Sequence, residues 1–220
     1  MTTVGAEFVW RMEDVLDLYA QVYNEQYPQI CFDERPCQLI SEKRTPIAAQ
    51  PGQPERYDYE YVREGRCNIF GFFQPLSWRE MKVTSQRTAI DFAHCMKQIV
   101  DEHFSQAIKV KVVLGNLNTH TPSSLYKAFP PYEAKRILDR LEFHYTPKHG
   151  SWLNMVEIEF SVLSRQCLNR RISDIETMKQ EVAAWTVERN RQKATVDWRF
   201  TCQNARVKLK RLYPQITCQN

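Results

Sequence analysis

Two acidic side chains stand where a carboxylate is costly without a partner. Asp33 follows an apolar run that is typical of a buried strand and is predicted to end that strand, and Glu157 lies in an apolar segment with helical spacing. A charge beside a core must be paired or bind a metal, and Mg²⁺ prefers carboxylate oxygens plus water. The pair therefore indicates a candidate divalent-metal site. The alternative is structural, with Asp33 capping a turn and Glu157 pairing with an arginine or lysine.

The segments around these acids predict a layered domain. A helix is expected over residues 7–27, and a short strand over 29–34. The other predicted elements, in order, are an exposed loop (43–56), an antiparallel meander of two or three strands (57–84), a helix capped by Thr88 (88–104), a strand (109–115), a helix (131–141), a strand (142–147), a helix capped by Ser151 (151–171) and two more helices (173–191 and 201–212). This order predicts an α/β or α+β fold, a mixed sheet flanked by helices, with ligands at the strand ends.

The composition is typical of a globular protein. Hydrophobic residues make up 43% of the 220 residues, and no run approaches the roughly 18 apolar residues that a membrane span needs. The N-terminus lacks a basic stretch followed by an apolar run, so we expect no secretory signal and a cytoplasmic location. Seven cysteines without a C-x-x-C pair indicate reduced thiols rather than a disulfide framework or a thiolate zinc site.

Basic charge is concentrated in the last quarter of the chain. Residues 161–220 contain 12 Lys and Arg against 5 Asp and Glu, although the net charge of the whole chain is only +4. Such a segment favours a polyanionic partner, because phosphate contacts release counterions. A solvated helical surface is the alternative.

Three long motifs carry a family resemblance. They are ICFDERPCQL (30–39), VVLGNLNTH (112–120) and LEFHYTPKHGSWLNMVEIEFSVLSRQCLNRRI (141–172), and the likeness continues through 124–141 and 197–214. They resemble the bacterial insertion-sequence transposases of the mariner-related superfamily. The resemblance implies an RNase H-like fold in which an Asp, an Asp, and a Glu or Asp bind two divalent metals, Mg²⁺ or Mn²⁺, for DNA strand cleavage and transfer.

The resemblance places these acids residue by residue. The first falls on Asp33 in CFDE and the last on Glu157 in WLNMVE, and both would be catalytic and metal-binding. The middle Asp should stand at Gly115, which has no side chain to bind a metal. Glu34 and Glu159 are not expected to substitute. Glu34 points to the opposite face of its strand, and Glu159 lies about 200° around its helix.

Loss of the middle carboxylate predicts an impaired enzyme. Bridging carboxylates hold the two metals roughly 3.5–4 Å apart. Asn116 follows the degenerate position, but its neutral amide is a poor replacement beside an anionic phosphate. We therefore expect catalysis to fall by orders of magnitude.

The resemblance also divides the chain into three parts. They are an entry helix and linker (1–28), an RNase H-like DDE catalytic domain (29–172) and a basic C-terminal helical extension (173–220). In the family, helix-turn-helix domains that read the terminal repeats precede the catalytic core, whereas one helix is predicted before Asp33. We expect a truncated or separately encoded catalytic half whose DNA affinity is mainly nonspecific and salt-sensitive.

Five cations near the last acid are candidate DNA contacts: Lys148, His149, Arg165, Arg170 and Arg171. The first two lie in the turn before the predicted helix, and the alternative for Lys148 is simple solvation. The arginines lie towards the C-terminal end of that helix, where the helix dipole already favours cations, so helix capping is their alternative.

Histidines and aromatic residues offer further candidates. His120, His144 and His149 suggest zinc, but their spacing fits no short ligand motif. Some aromatic side chains could stack on unpaired bases; they are Trp152, Trp185, Trp198 and the tyrosines and phenylalanines of 57–73. Core packing is the favoured interpretation, because they alternate with polar residues or recur at helical spacing.

Three functions remain to be distinguished. The first is a transposase catalytic domain by descent, impaired through Gly115. The second is a non-catalytic DNA-binding or dimerising protein that regulates full-length transposase, alone as a homodimer or in association with it. The third, which the motifs disfavour, is an unrelated nuclease or phosphatase with a layered fold.

Overall fold

A five-stranded mixed sheet forms the centre of the molecule, and the computed structural model describes residues 5–76 and 78–214. The strand order is β3-β2-β1-β4-β5. The strands are β1 (Gln29–Glu42), β2 (Tyr61–Gln74), β3 (Trp78–Thr84), β4 (Val110–Leu114) and β5 (Leu141–Tyr145). β1, β2 and β3 pair antiparallel, and β4 and β5 run parallel to β1. The predicted mixed sheet is confirmed.

Helices cover both faces of this sheet. They are α1 (Ala6–Tyr19), α2 (Ala89–Gln98), α3 (Ser123–Ala128), α4 (Pro131–Asp139), α5 (Val156–Gln166), α6 (Ile175–Arg191) and α7 (Cys202–Lys208). A π-helical turn, Ile99–His103, extends α2, and 3₁₀ turns occupy Ser151–Leu153 and Lys210–Leu212. Thr88 caps α2 as predicted, in a reciprocal capping box with Asp91.

Alternation along β1 divides the core into two layers. Cys31 points into a cluster with α1, α5 and α6, and Phe32 points into a second cluster with α2, α3 and α4. In the first cluster Leu16 and Val182 pack with Val156, so helices from outside residues 29–172 share the core of that segment. The sheet is therefore buried on both faces.

Three predicted boundaries were wrong. α1 ends at Tyr19 because residues 20–27 are exposed and offer no apolar face to pack. β1 does not end at Asp33, since β2 continues to pair with it as far as Glu42. The helix predicted over 151–171 is interrupted: Asn154 is extended, with ψ of 108°, and the regular helix begins at Val156.

Candidate active site

The first and middle positions of the predicted acid site meet where two parallel strands end their pairing. β1 and β4 pair through Cys31 and Val113, so Asp33 and Gly115 both lie just beyond that pair. A Cβ atom at Gly115 would stand 3.6 Å from Oδ2 and 3.9 Å from Oδ1 of Asp33. A side chain at position 115 would therefore project directly onto the Asp33 carboxylate.

Asn154 connects Asp33 to the beginning of α5. Its Nδ2 donates to the Phe32 carbonyl oxygen at 2.9 Å and to Asp33 Oδ2 at 3.3 Å. Its Oδ1 accepts from the Val156 amide at 3.4 Å, and its carbonyl oxygen accepts from the Glu157 amide at 3.1 Å. Asn154 thus orients the last predicted acid relative to the first. Sequence reasoning assigned it no role, although a buried amide within the apolar run WLNMV was a usable signal.

A glycine allows α5 to approach the sheet beside Asp33. Gly71 is the cross-strand partner of Asp33, and a Cβ atom there would stand 2.8 Å from side-chain carbons of both Val156 and Phe160. Because packed cores tolerate no such overlap, any larger residue would push α5 away. Glycine at this position places the first turn of α5, and Glu157 with it, over the β1–β2 pair.

Burial dominates the electrostatics of the two predicted acids. It raises the pKa of Asp33 to about 6, against the hydrogen bond from the Glu34 amide, and the negative charges of Glu34 and Glu157 act in the same direction as burial. Partial burial also raises the pKa of Glu157, although its side chain is exposed at the surface, and the charge of Arg35 opposes that rise. The site therefore holds carboxylates whose negative charge is poorly compensated.

Arg35 is a second residue that sequence reasoning missed. It lies two residues after Asp33 on the same face of β1. Its guanidinium donates to the Phe160 carbonyl oxygen at 3.2 Å and to the Ser164 hydroxyl, both on α5. Arg35 therefore fastens α5 to β1 while its charge stabilises the ionised form of Glu157.

The neighbouring acids Glu34 and Glu159 contact other side chains. Glu34 lies 2.8 Å from the buried His120 ring and 3.6 Å from Arg87, on the α2 side of the sheet. Glu159 is fully buried and lies 3.1 Å from both Arg79 and Arg189. Both carboxylates therefore have partners away from the predicted metal site.

Asn116 is also engaged elsewhere. Arg11 of α1 donates to its Oδ1 at 2.9 Å, and its Nδ2 donates to the Thr146 carbonyl oxygen. Arg11 is itself paired with Glu7 at 3.0 Å. The amide oxygen of Asn116 is therefore a partner of a cation rather than a free metal ligand.

The five predicted DNA contacts separate into exposed and paired side chains. Lys148 and His149 are exposed in the turn before α5, where His149 adopts a positive φ of 66°. Arg165 is exposed and donates only to Ser161 among the described residues. Arg170 pairs with Glu181. Arg171 is anchored by the Glu42 carboxylate and by backbone carbonyls of the loop after β1, which gives it a structural role.

The donor set falls short of a two-metal site. Asp33 and Glu157 supply two carboxylates, and Gly115 supplies none. Within residues 5–76 and 78–214 no group of three His, Cys, Asp or Glu side chains is placed to hold a metal ion. Both ring nitrogens of His144 are engaged, Nδ1 with Asp14 at 2.8 Å and Nε2 with Glu142 at 2.9 Å.

A protein-family comparison assigns the chain to a family. Residues 28–179, well over half of the chain, match the model of the DDE superfamily endonucleases. The chain belongs to this family. The matched segment contains Asp33, Gly115 and Glu157. A comparison with curated protein sequences found no match.

The fold is that of the Mos1 transposase catalytic domain, an RNase H-like fold as predicted. The catalytic domain of Mos1 mariner transposase matches with a TM-score of 0.52 and 11% identity, covering 85% of this chain and 86% of that one. The Mos1 strand transfer complex matches with a TM-score of 0.57 and 13% identity (85% and 57% covered), and the paired end complex with Mn with 0.53 and 14% (86% and 59% covered). This chain thus spans less than two thirds of the Mos1 chains in those complexes. No helix among the described residues is long and apolar enough to cross a membrane.

Proposed function

We propose that this chain is a transposase catalytic domain by descent in which metal-dependent DNA strand cleavage and strand transfer are lost or strongly impaired. The observation that carries the proposal is the position of Gly115 against Asp33. A Cβ atom there would meet only the Asp33 carboxylate within 4 Å. The site keeps room for the middle acid of the family but lacks the carboxylate.

Divalent metal binding should also be weakened by the absence of a carboxylate at position 115. Mg²⁺ or Mn²⁺ would be held between Asp33 and Glu157 alone, and a carboxylate bridge to a second ion is missing. Mn accompanies two of the Mos1 structures, and we carry that preference to this chain as part of the proposal. Any ion held by two carboxylates would bind weakly, because affinity depends on the number and charge of the ligands.

The test is restoration by Gly115→Asp. The added carboxylate should increase Mn²⁺-dependent cleavage of a terminal-repeat duplex by orders of magnitude, since removing a single electrostatic element of a catalytic site typically costs 10²–10³-fold or more. Gly115→Asn is the matched control, with nearly the same volume and no charge. Equal cleavage by the wild-type chain and Gly115→Asp would contradict the proposal.

A second candidate function has one observation in its favour. The core does not depend on a carboxylate at position 115, because the preceding β4 residues Val113 and Leu114 are buried in the two core layers. A non-catalytic DNA-binding or dimerising protein that regulates full-length transposase is therefore compatible with the same structure. Titration of Mn²⁺ against thermal stability separates the two: a shift that Asp33→Ala abolishes indicates a residual metal site, and no shift favours the binding role.

DNA is the partner that we propose in either case, with contacts to the backbone at Lys148, His149 and Arg165. These three side chains are exposed, and the Mos1 neighbours include a paired-end complex with the left transposon end. Phosphate contacts of this kind predict nonspecific binding that weakens steeply with salt.

A further inference from the structure

An exposed tryptophan lies in the turn that leads into the candidate active site. The side chain of Trp152 is 45% exposed, in the 3₁₀ turn Ser151–Leu153 that leads to α5. Two residues later Asn154 contacts Asp33, so Trp152 is separated by one residue from a direct neighbour of the first predicted acid. Trp185 and Trp198, which sequence reasoning grouped with it, pack against the α1–α5–α6 core instead.

The turn that carries Trp152 is firmly anchored. The Leu153 side chain is fully buried, and its carbonyl oxygen accepts a hydrogen bond from the Tyr19 hydroxyl at 2.7 Å. The indole meets the Phe200 ring edge to face, with ring centroids 6.0 Å apart. The Phe200 carbonyl oxygen in turn accepts from the Trp198 indole at 2.8 Å. Trp152 is thus exposed but pre-positioned, which reduces the entropy lost when a ligand binds.

A lysine lies beside this aromatic pair, and two further basic residues precede Trp152 in the chain. Lys208 of α7 places its Nζ 6.0 Å from the Phe200 ring centroid. Lys148 and His149 are exposed in the turn immediately before Trp152. Aromatic faces next to a basic track are the combination that binds single-stranded nucleic acid, because bases stack on the ring while cations contact the phosphates.

We propose that Trp152 stacks on an unpaired base of the DNA strand that enters the Asp33–Glu157 site, with Lys208 contacting the adjacent phosphate. The proposal rests on the DNA-binding part of the proposed function and not on catalysis, so a chain that cannot cleave DNA still displays it. Stacking is sequence-tolerant, because every base has a π face. The surface should therefore prefer a single-stranded or frayed end over a blunt duplex.

The test compares variants by fluorescence anisotropy with single-stranded, 3′-overhang and blunt duplex oligonucleotides at fixed salt. Trp152→Ala should weaken binding to the first two by about tenfold or more, as expected for one lost stacking contact, and leave blunt duplex binding nearly unchanged. Trp152→Phe should keep most of the affinity. Tyr132→Ala is the control, because Tyr132 is 77% exposed on α4, across the sheet.

Two further readings separate stacking from a general loss of structure or charge. A 2-aminopurine base in the overhang should be quenched by the wild-type chain and Trp152→Phe but not by Trp152→Ala. Lys208→Ala should reduce the salt dependence of binding by about one phosphate contact, whereas Trp152→Ala should leave it unchanged.

The outcomes distinguish this proposal from the proposed function. Equal affinity of wild-type chain and Trp152→Ala for overhang DNA, with DNA binding intact, overturns the stacking role alone. Absence of any DNA binding by the wild-type chain overturns both the stacking role and the DNA-binding part of the proposed function. If Trp152→Ala lowers the melting temperature, the Trp152→Phe variant is the test instead. Loss of both 2-aminopurine quenching and overhang affinity in a stably folded Trp152→Phe also overturns stacking.

Discussion

Glu157 and Glu159 are two residues apart on α5, and they stand in opposite environments. Glu157 is exposed on the side of Asp33, and partial burial raises its pKa. Glu159 is fully buried and contacts two guanidinium groups, those of Arg79 and Arg189, at 3.1 Å each. Since successive helical residues are about 100° apart, two steps turn a side chain to nearly the opposite face.

The difference teaches how structural and functional acids are told apart in this fold. Arg79, itself fully buried, also donates to the Arg189 carbonyl oxygen, and Asn190 donates to the Arg79 carbonyl oxygen. This network ties α6 to β3 and α5. Asp33 and Glu157 lack such a network and keep unfavourable charge near each other. A carboxylate that the fold leaves undercompensated is a candidate for chemistry.

The largest expected effect is a loss of stability on substitution of Glu159. Glu159→Gln removes the charge that the buried Arg79 and the partly buried Arg189 share, and breaking a buried pair typically costs about 3–5 kcal/mol of stability. Urea unfolding of both chains at pH 7 measures it. Glu176→Gln on the exposed face of α6 is the matched control and should leave the midpoint unchanged. A Glu159→Gln chain as stable as the control would show that the network is dispensable.

Asp33→Asn should increase the stability of the fold, whereas Glu159→Gln should decrease it. The pKa of Asp33 is raised in the folded chain from 3.8 to about 6. The stability that the protonated carboxyl group contributes is therefore fully present below pH 4 and is lost as the pH rises through 6, because the buried carboxyl group then ionises. The variant cannot ionise and should be more stable than wild type at pH 7 by about 2 kcal/mol, a value discounted for solvent screening at a partly open site. The gain should disappear at pH 4. An equal increase in stability at pH 4 and pH 7 would show that ionisation of Asp33 is not the cause of the increase.

Glu157→Gln should have the smallest effect. The pKa of Glu157 is raised, as is that of Asp33. Removing its charge should therefore again increase the stability of the fold at neutral pH. Its exposed position limits the change to within about 0.5 kcal/mol. Thermal melts at pH 7 measure it beside Glu159→Gln. A loss comparable with that of Glu159→Gln would mean that Glu157 also stabilises the fold and would remove the contrast between the two acids.

Local patterns were sufficient for most of the sheet and much of the site. Alternation along β1 places Phe32 in one core layer and Asp33 on the other face, and helical spacing turns Glu159 away from Glu157. The break at Asn154 was not predictable, because its extended backbone is stabilised by a carbonyl more than 100 residues away on β1. Tertiary contacts overrode a sequence that contains no helix breaker.

The sequence by itself determined the residue types at the three acid positions. Asp33, Gly115 and Glu157 are read directly from their motifs, and their roles at a metal site stay a prediction. Only the tertiary structure decided that position 115 faces Asp33, that Glu159 is fully paired, that Arg171 is anchored and that Trp152 is exposed. The physical reason is that the energy of a charge or an aromatic ring depends on its partners and its solvent. In this chain those partners lie tens to more than a hundred residues away and come together only on folding.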